Sequence, residues 1–475
     1  MTALRREDFC CVAREGLGDP SARIVQAMFW SGDGLYVGTG GRSRYPLGLS
    51  ASALARLGPL GDRLRQRDAT QQNRPIGARL WRFDPQRGDW RQIYRAPEVS
   101  NGQGECYPRD RNIRAATVFA SANGPGGLYV GASAMEGAFH LLRSVDGVAF
   151  VDIPHHNLGL PPDADIPSVR ALCPLNGRLY TSPVGKLRGR GMLDDNISDY
   201  PIVFETDDPE QGAWRAVSAS AFGDPTNLSI NELVVFAGAL YAGTLNIQHG
   251  YQVWKTDVQG ASPYRWRKVL ERGAGRGPAA SIVTCMAAFR GALYIGSALQ
   301  RQGHGGLDRY GPIPGELVRL YPDDTWELVV GESRPTPQGL KVAMSGLGAG
   351  FGDRFNRGPW CLAEHEGWLY AGASDWRIFK TFLPGPDSHL SARYKAALRD
   401  SQAGYRGGFA LWRTADGVTW EPVTCNGFGD DPAIYAVRTL VSTPFGLFAG
   451  TAGSRGGFQV WRGAAASASS AGNGG

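Results

Sequence analysis

GFALWRTADGVTWEPV, residues Gly408 to Val423, holds two short β-prone runs, each with a tryptophan, around the turn TADG. Alternating apolar and polar residues on both sides of a Gly-bearing turn form a hairpin. Outward from it, a Leu-Tyr or Leu-Phe pair recurs seven times: LYVGT at Leu35, LYVGA at Leu128, LYTSP at Leu179, LYAGT at Leu240, LYIGS at Leu293, LYAGA at Leu369 and LFAGT at Leu447. Each pair follows a short turn and an apolar run such as Ile230 to Phe236 or Ile282 to Phe289, which makes a second hairpin. Copies of the Trp-bearing hairpin follow most pairs, clearest in GYQVWKTD (Gly250 to Asp257) with YRWRKV. Weaker copies are ARLWRFDPQRGDWRQI, FHLLRSVDGVAFVDI, PIVFETDDPEQGAWRAV and ELVRLYPDDTWELV.

Four short antiparallel strands repeated seven times predict an all-β chain, a seven-bladed β-propeller. Helical solenoids fail because the period-2 runs are too short and too rich in β-branched and aromatic residues. The seventh copy reaches GGFQVWRG and then dissolves into AAASASSAGNGG, so its fourth strand is missing. The N-terminus supplies one: DFCCVAREGLGDPSARI aligns with TWEPVTCNGFGDDPAI. Phe9 to Arg14 is therefore expected to pair with the strand around Phe458 to Trp461, closing the last blade and removing a free sheet edge. Residues 1–463 form one domain on this reading, and 464–475 a disordered tail.

Gly 66 and Pro 30 among 475 residues mark a turn-rich chain, and 42% hydrophobic content is ample for a core. No apolar run approaches a membrane span, and MTALRREDFC lacks the apolar core of a secretory signal, which predicts a cytoplasmic location without membrane attachment. Seven cysteines without CxxC spacing read as reduced, mostly packed thiols. The formal charge is +6, but acidic residues accompany the arginines throughout, so nucleic acid is not an expected partner.

The turns SVDG (Ser144 to Gly147) and TADG (Thr414 to Gly417), each followed by Phe150 or Trp420, resemble the Asp-box, or BNR, repeat of bacterial sialidase-like propellers. The resemblance implies that Asp146 and Asp416 cap turns and take no part in chemistry. It does not extend to sialidase activity: Arg23-Ile24 stands where an FRIP-like element would start, without the flanking Phe and Pro, and that family's enzymes have six blades. A two-carboxylate glycosidase remains an alternative, with Asp194, Asp195, Asp199, Asp308, Asp353 and Asp375 as candidates.

In an up-and-down blade, connections between the second and third strands and between successive blades emerge on one face. The long segments all fall there: 40–77 and 374–407, each with a helical stretch (Ser50 to Leu64, Ser388 to Ser401), the shorter 184–200 and 299–314, and the links 95–111 and 331–358. They are expected to form a lid over a channel mouth. The residues entering that mouth from the innermost strands read Val25, Arg114, Arg170, Asn231, Val283, Trp360 and Tyr435. Two arginines with aromatic walls suit an anionic, partly apolar molecule. Arg114 and Arg170 would hold the anion, Asn231 orient it, Trp360 and Tyr435 form the wall with Tyr435 as acid or base, and Arg23 assist binding. The contrasting expectation is that these arginines are neutralised by Glu232, Asp165 or Asp110.

No nucleotide, flavin or HExxH motif is present, so no cofactor is expected. Calcium or another metal on the face loops is the alternative, through DDNISD (Asp194 to Asp199) or His155, His156, His249, His304 and His389. The expected function is binding, with cofactor-independent, non-redox transformation, of an anionic or aromatic metabolite. The alternatives are a protein-interaction scaffold and a glycan-binding or glycoside-processing site.

Overall fold

The computed structural model describes residues 3–32, 34–40, 76–100, 102, 104, 106–121, 126–187, 193, 194, 196–300, 312–378, 396, 399, 400 and 407–465. Most of the two lid segments and of the tail lie outside the described residues, as do His304, His389, Asp195 and Asp308. The described chain is nearly all β and propeller-like. Around Leu293, the strands Ile282–Phe289, Ala292–Ala298, Glu316–Leu320 and Trp326–Val330 pair antiparallel in chain order. The same four-strand order surrounds Leu35, Leu128, Leu179, Leu240 and Leu369.

Around Leu447 the fourth strand comes from the other end of the chain. Phe9–Ala13 pairs antiparallel with Val460–Gly463, Phe9 opposite Gly463 and Cys11 opposite Trp461. Leu4 is buried beside it, and its amide donates to the Tyr370 hydroxyl at 3.0 Å. The first strands contact one another in sequence, Ile24–Ser31 with Asp110–Phe119 and so on, and Ile434–Thr443 returns to contact Ile24–Ser31.

The strands carrying the Leu-Tyr pairs are buried almost throughout, because they have a partner on each edge and a neighbouring sheet on each face. Their glycine has a specific task. A Cβ on Gly38 would stand 2.6 Å from Ile113, on Gly243 2.7 Å from Val283 and on Gly372 2.6 Å from Val437, each an aliphatic residue on the next unit's first strand. Only glycine lets the sheets approach this closely.

Successive units are joined by a recurrent left-handed turn that places Leu17, Leu158, Phe222, Phe351 and Phe428 at φ between 56° and 59°. Phe222 stacks on Trp254 at 4.9 Å and Phe351 on Trp412 at 4.7 Å, while Phe428 packs tilted against Trp461 at 4.7 Å, so the connection docks on the tryptophan of the following unit's third strand. In two units a glutamine completes the joint: the Gln252 side chain accepts from the Trp254 indole at 3.0 Å and donates to Asp224 at 2.6 Å, and Gln459 does the same between Trp461 and Asp430.

Both aspartate turns have capping geometry. Asp146 Oδ1 accepts from the amides of Val148 and Ala149 at 2.8 Å, and Asp416 Oδ1 from those of Val418 and Thr419 at 2.8 and 2.7 Å. All seven cysteines are free. Among the described residues no helix is long and apolar enough to cross a membrane.

Candidate functional site

Every first strand carries a β-bulge, which in four units closely follows the residue that pairs with the preceding unit's second strand. The register slips between Val25 and Ala27, Ile113 and Ala115, Val169 and Leu172, Ile230 and Glu232, Val283 and Cys285, Pro359 and Cys361, and Val437 and Thr439. A bulge re-aims the extra side chain and strengthens the local twist. The residues at these bulges are Gln26, Arg114, Arg170, Asn231, Thr284, Trp360 and Arg438.

Six of those seven line one cavity of about 240 Å³, to which all seven first strands contribute. Its apolar wall comes from the next inward-facing residues, Met28, Met286, Leu362 and Leu440. Asn231 is the exception: its amide donates to the Val283 carbonyl at 2.7 Å, stapling two units, and Glu232 reaches the cavity in its place. Thr284 lines the cavity and also staples, donating to the Pro359 carbonyl at 2.6 Å.

Three guanidiniums therefore face the cavity against one carboxylate among the described lining residues. Arg170 Nε lies 3.4 Å from Glu232 Oε1, and its Nη1 donates to Asn196 Oδ1 at 3.1 Å. Arg114 Nη2 approaches the same Asn196 oxygen at 3.4 Å, so the 184–200 connection does reach the arginines. Arg438 Nη2 donates to Gln26 Oε1 at 3.3 Å, while its Nε is buried without a hydrogen-bond partner. Trp360 gathers the cations: Arg357 lies 4.1 Å from its ring centre, Arg438 4.2 Å and Arg170 5.8 Å. Arg357 also covers Trp376 at 4.8 Å and donates to Gln300 Oε1 at 3.3 Å.

This crowding shifts the local acid–base chemistry. Burial and the neighbouring Arg170 charge bring Arg438 down to about 10; burial and the Arg438 charge bring Arg357 down to about 9, and both stay cationic at neutral pH. Burial raises the Glu232 carboxyl to about 7 despite the opposing charges of Arg170, Arg114 and Arg438. Cys285 and Cys361 line the wall as thiols, burial pushing Cys361 up to about 12 and Cys285 well above its ordinary value.

Of the residues expected from sequence, the structure brings Arg114, Arg170 and Trp360 together and turns Asn231 to a neighbouring backbone. Tyr435 stands three residues before Arg438 and outside the cavity lining; burial raises its phenol, against the charges of Arg438, Arg357 and Arg23. Arg23 holds the matching place three residues before Gln26. Val25 and Val283 yield the bulge position to Gln26 and Thr284, and Tyr435 yields it to Arg438, because in these units the residue after the apolar start of the strand falls short of the bulge. Counting back nine residues from the Leu of each Leu-Tyr/Phe pair finds Gln26, Arg170, Asn231, Thr284, Trp360 and Arg438; only the Leu128 unit, with a longer turn, departs.

The contrasting expectation holds for Arg170, which meets Glu232, whereas Asp110 is engaged by Arg109 at 3.1 Å and His140 at 2.6 Å. Among the glycosidase candidates, Asp353 and Asp375 both hold Arg377, at 2.7 and 3.4 Å. Among the described residues no three His, Cys, Asp or Glu side chains come together as a metal-binding set, and His155 stacks on Phe139 at 4.3 Å.

No protein-family profile and no curated protein matches the chain. Solved structures resemble it at low identity. A puromycin hydrolase shares 11% identity over 95% of this chain and 53% of its own, with a TM-score of 0.44. The GH43 endo-arabinanase from Bacillus licheniformis shares 14% over 55% of this chain and 88% of its own, at 0.30. U3-55K shares 8% over 97% of this chain and 100% of its own, at 0.45. The chain spans about half the length of the puromycin hydrolases it matches. At these values none of the three bears on this chain's activity.

Proposed function

We propose that the chain is a closed seven-bladed β-propeller of Asp-box type whose central cavity binds a small anionic metabolite and transforms it without a redox cofactor. The ring is supported by the cyclic contacts of the first strands and by the Phe9–Ala13 pairing. The functional reading is carried by one observation: Arg114, Arg170 and Arg438 converge on a single cavity beside Trp360, with Glu232 their only acidic companion among the described lining residues. Guanidinium forks favour carboxylate or phosphate oxygens, and Trp360 with the Met and Leu wall favours a flat or apolar body. The cavity is smaller than drug-sized pockets, which suits a small metabolite. Tyr435 stays a phenol and serves as a proton donor toward a ligand extending to it.

Calorimetric titration with benzoate and phthalate tests this. The wild-type protein should bind at least one of them, and an Arg170→Met/Arg438→Met variant should lose roughly a hundredfold or more in affinity. Arg438→Met alone should keep a melting temperature near wild type, because Arg438 has no carboxylate partner among the described residues, whereas losing Arg170 as well strands the Glu232 carboxylate and should lower it. A variant that keeps the affinity, or a wild type that binds neither, overturns the reading. A second reading, a protein-docking surface, is favoured by the exposure of Leu340 (69%), Val342 (56%) and Met344 (39%) on the 331–358 connection.

A further inference from the structure

Glu232 is a carboxylate placed where a ligand's carboxylate would go. It faces the cavity, with 24% of its side chain exposed there, and it holds the Arg170 Nε that a fork-binding oxyanion needs. The charged and titratable groups around it are Arg170, Arg114 and Arg438 on three other first strands and the Cys285 thiol on the adjacent one. Nothing else among the described lining residues carries negative charge.

We propose that Glu232 is a built-in competitor for the anion site, which yields Arg170 to an incoming oxyanion by taking up a proton from solvent, and that Arg170, thereby freed, joins Arg438 in selecting a doubly charged head. This rests on the anion-binding reading above. An oxyanion on Arg170 removes the ion-pair partner of Glu232 and sets a like charge beside it, in a buried place where an unpaired carboxylate is costly. Protonation removes that cost, and burial already brings the carboxyl to about 7 with the pair intact. Once Glu232 is neutral, the charges of Arg170 and Arg438 both face the ligand, and a dianion gains more from them than a monoanion of the same shape. No covalent bond changes: one proton passes from solvent to a Glu232 oxygen on binding and returns on release.

The test uses the full chain with sulfate and methanesulfonate, which have similar shape, differ by one charge, and do not titrate near neutrality. Calorimetry in buffers of different ionisation enthalpy gives the proton count. Sulfate should bind more tightly than methanesulfonate, take up roughly one proton at about pH 8, and weaken roughly tenfold per pH unit above about pH 7. Glu232→Gln should bind sulfate without proton uptake, with a flat pH profile and at least as tightly as wild type at about pH 8.

Sulfate binding by the wild type with no proton uptake, or an unchanged pH profile in Glu232→Gln, overturns the inference while the anion site stands. Equal affinity for the two probes overturns the charge selection. No sulfate binding in either protein, together with none for benzoate or phthalate, overturns both. The wild-type proton count needs no variant, so the question is decided even if Glu232→Gln fails to fold.

Discussion

Arg438 stacks on Trp360, bonds Gln26 across the junction between the first and last units, and keeps a buried Nε without a partner. Such a group is held by its surroundings, and its position follows from a bulge that shows in the sequence only as a fixed distance of nine residues from the Leu of the repeat pair. The two-residue repeat of a strand predicts which face a side chain occupies, and one extra residue inverts it. Arg114, Arg170 and Trp360 were legible from sequence because in their units the residue after the apolar start of the strand is the bulge residue, whereas in the last unit that residue is Tyr435, three short of Arg438. Asp416 shows the opposite case, legible because its chemistry is local. Burial alone would raise its carboxyl, but the amide and hydroxyl hydrogen bonds outweigh it and hold it at about 2. Its contribution to stability is present above the ordinary carboxyl range and is lost as pH falls toward about 2. Asp416→Ala should cost about 1–2 kcal/mol in denaturant unfolding near neutral pH, as for a lost helix N-cap, and leave anion affinity unchanged. A stability equal to wild type would show that the turn does not need its cap.

At the scale of elements, the hairpins were readable because each is short, alternating and bounded by turn residues. The Phe-on-Trp docking between units was half visible: the GLGD and GFGD similarity pointed to a shared connection, but the left-handed backbone that seats Phe428 on Trp461 is set by tertiary packing. The N-terminal strand is the element on which closure depends. Phe9 stacks on Phe428 at 4.8 Å, Arg6 donates to the Phe428 carbonyl at 2.7 Å, and Trp90 Nε1 donates to the Val12 carbonyl at 2.8 Å. Deleting residues 1–14 removes these contacts and exposes the edge of Val460–Gly463. The truncated chain should melt at least roughly 5 °C lower and self-associate at rising concentration. An unchanged melting curve with a monomeric truncated chain would contradict closure by this strand.

Across the whole molecule, one device repeated around the ring both builds and arms the centre. In five of the seven units the glycine after the Leu-Tyr or Leu-Phe pair admits the aliphatic residue of the next first strand, that contact fixes the register, and the bulge beside it aims one side chain inward. Asn231 and Thr284 use that position to staple neighbours, whereas Arg114, Arg170, Trp360 and Arg438 make the site. A repeat fold can thus keep its scaffold constant and place chemistry by changing single residues at equivalent positions. On the proposed function, these arginines hold an anion in the cavity. The most direct measurement is a crystal structure of the full chain soaked in phthalate. The predicted result is density between Arg170 and Arg438 with the ring against Trp360 and Glu232 withdrawn from Arg170; an empty cavity with phthalate bound elsewhere, or with Glu232 still paired to Arg170, would contradict it.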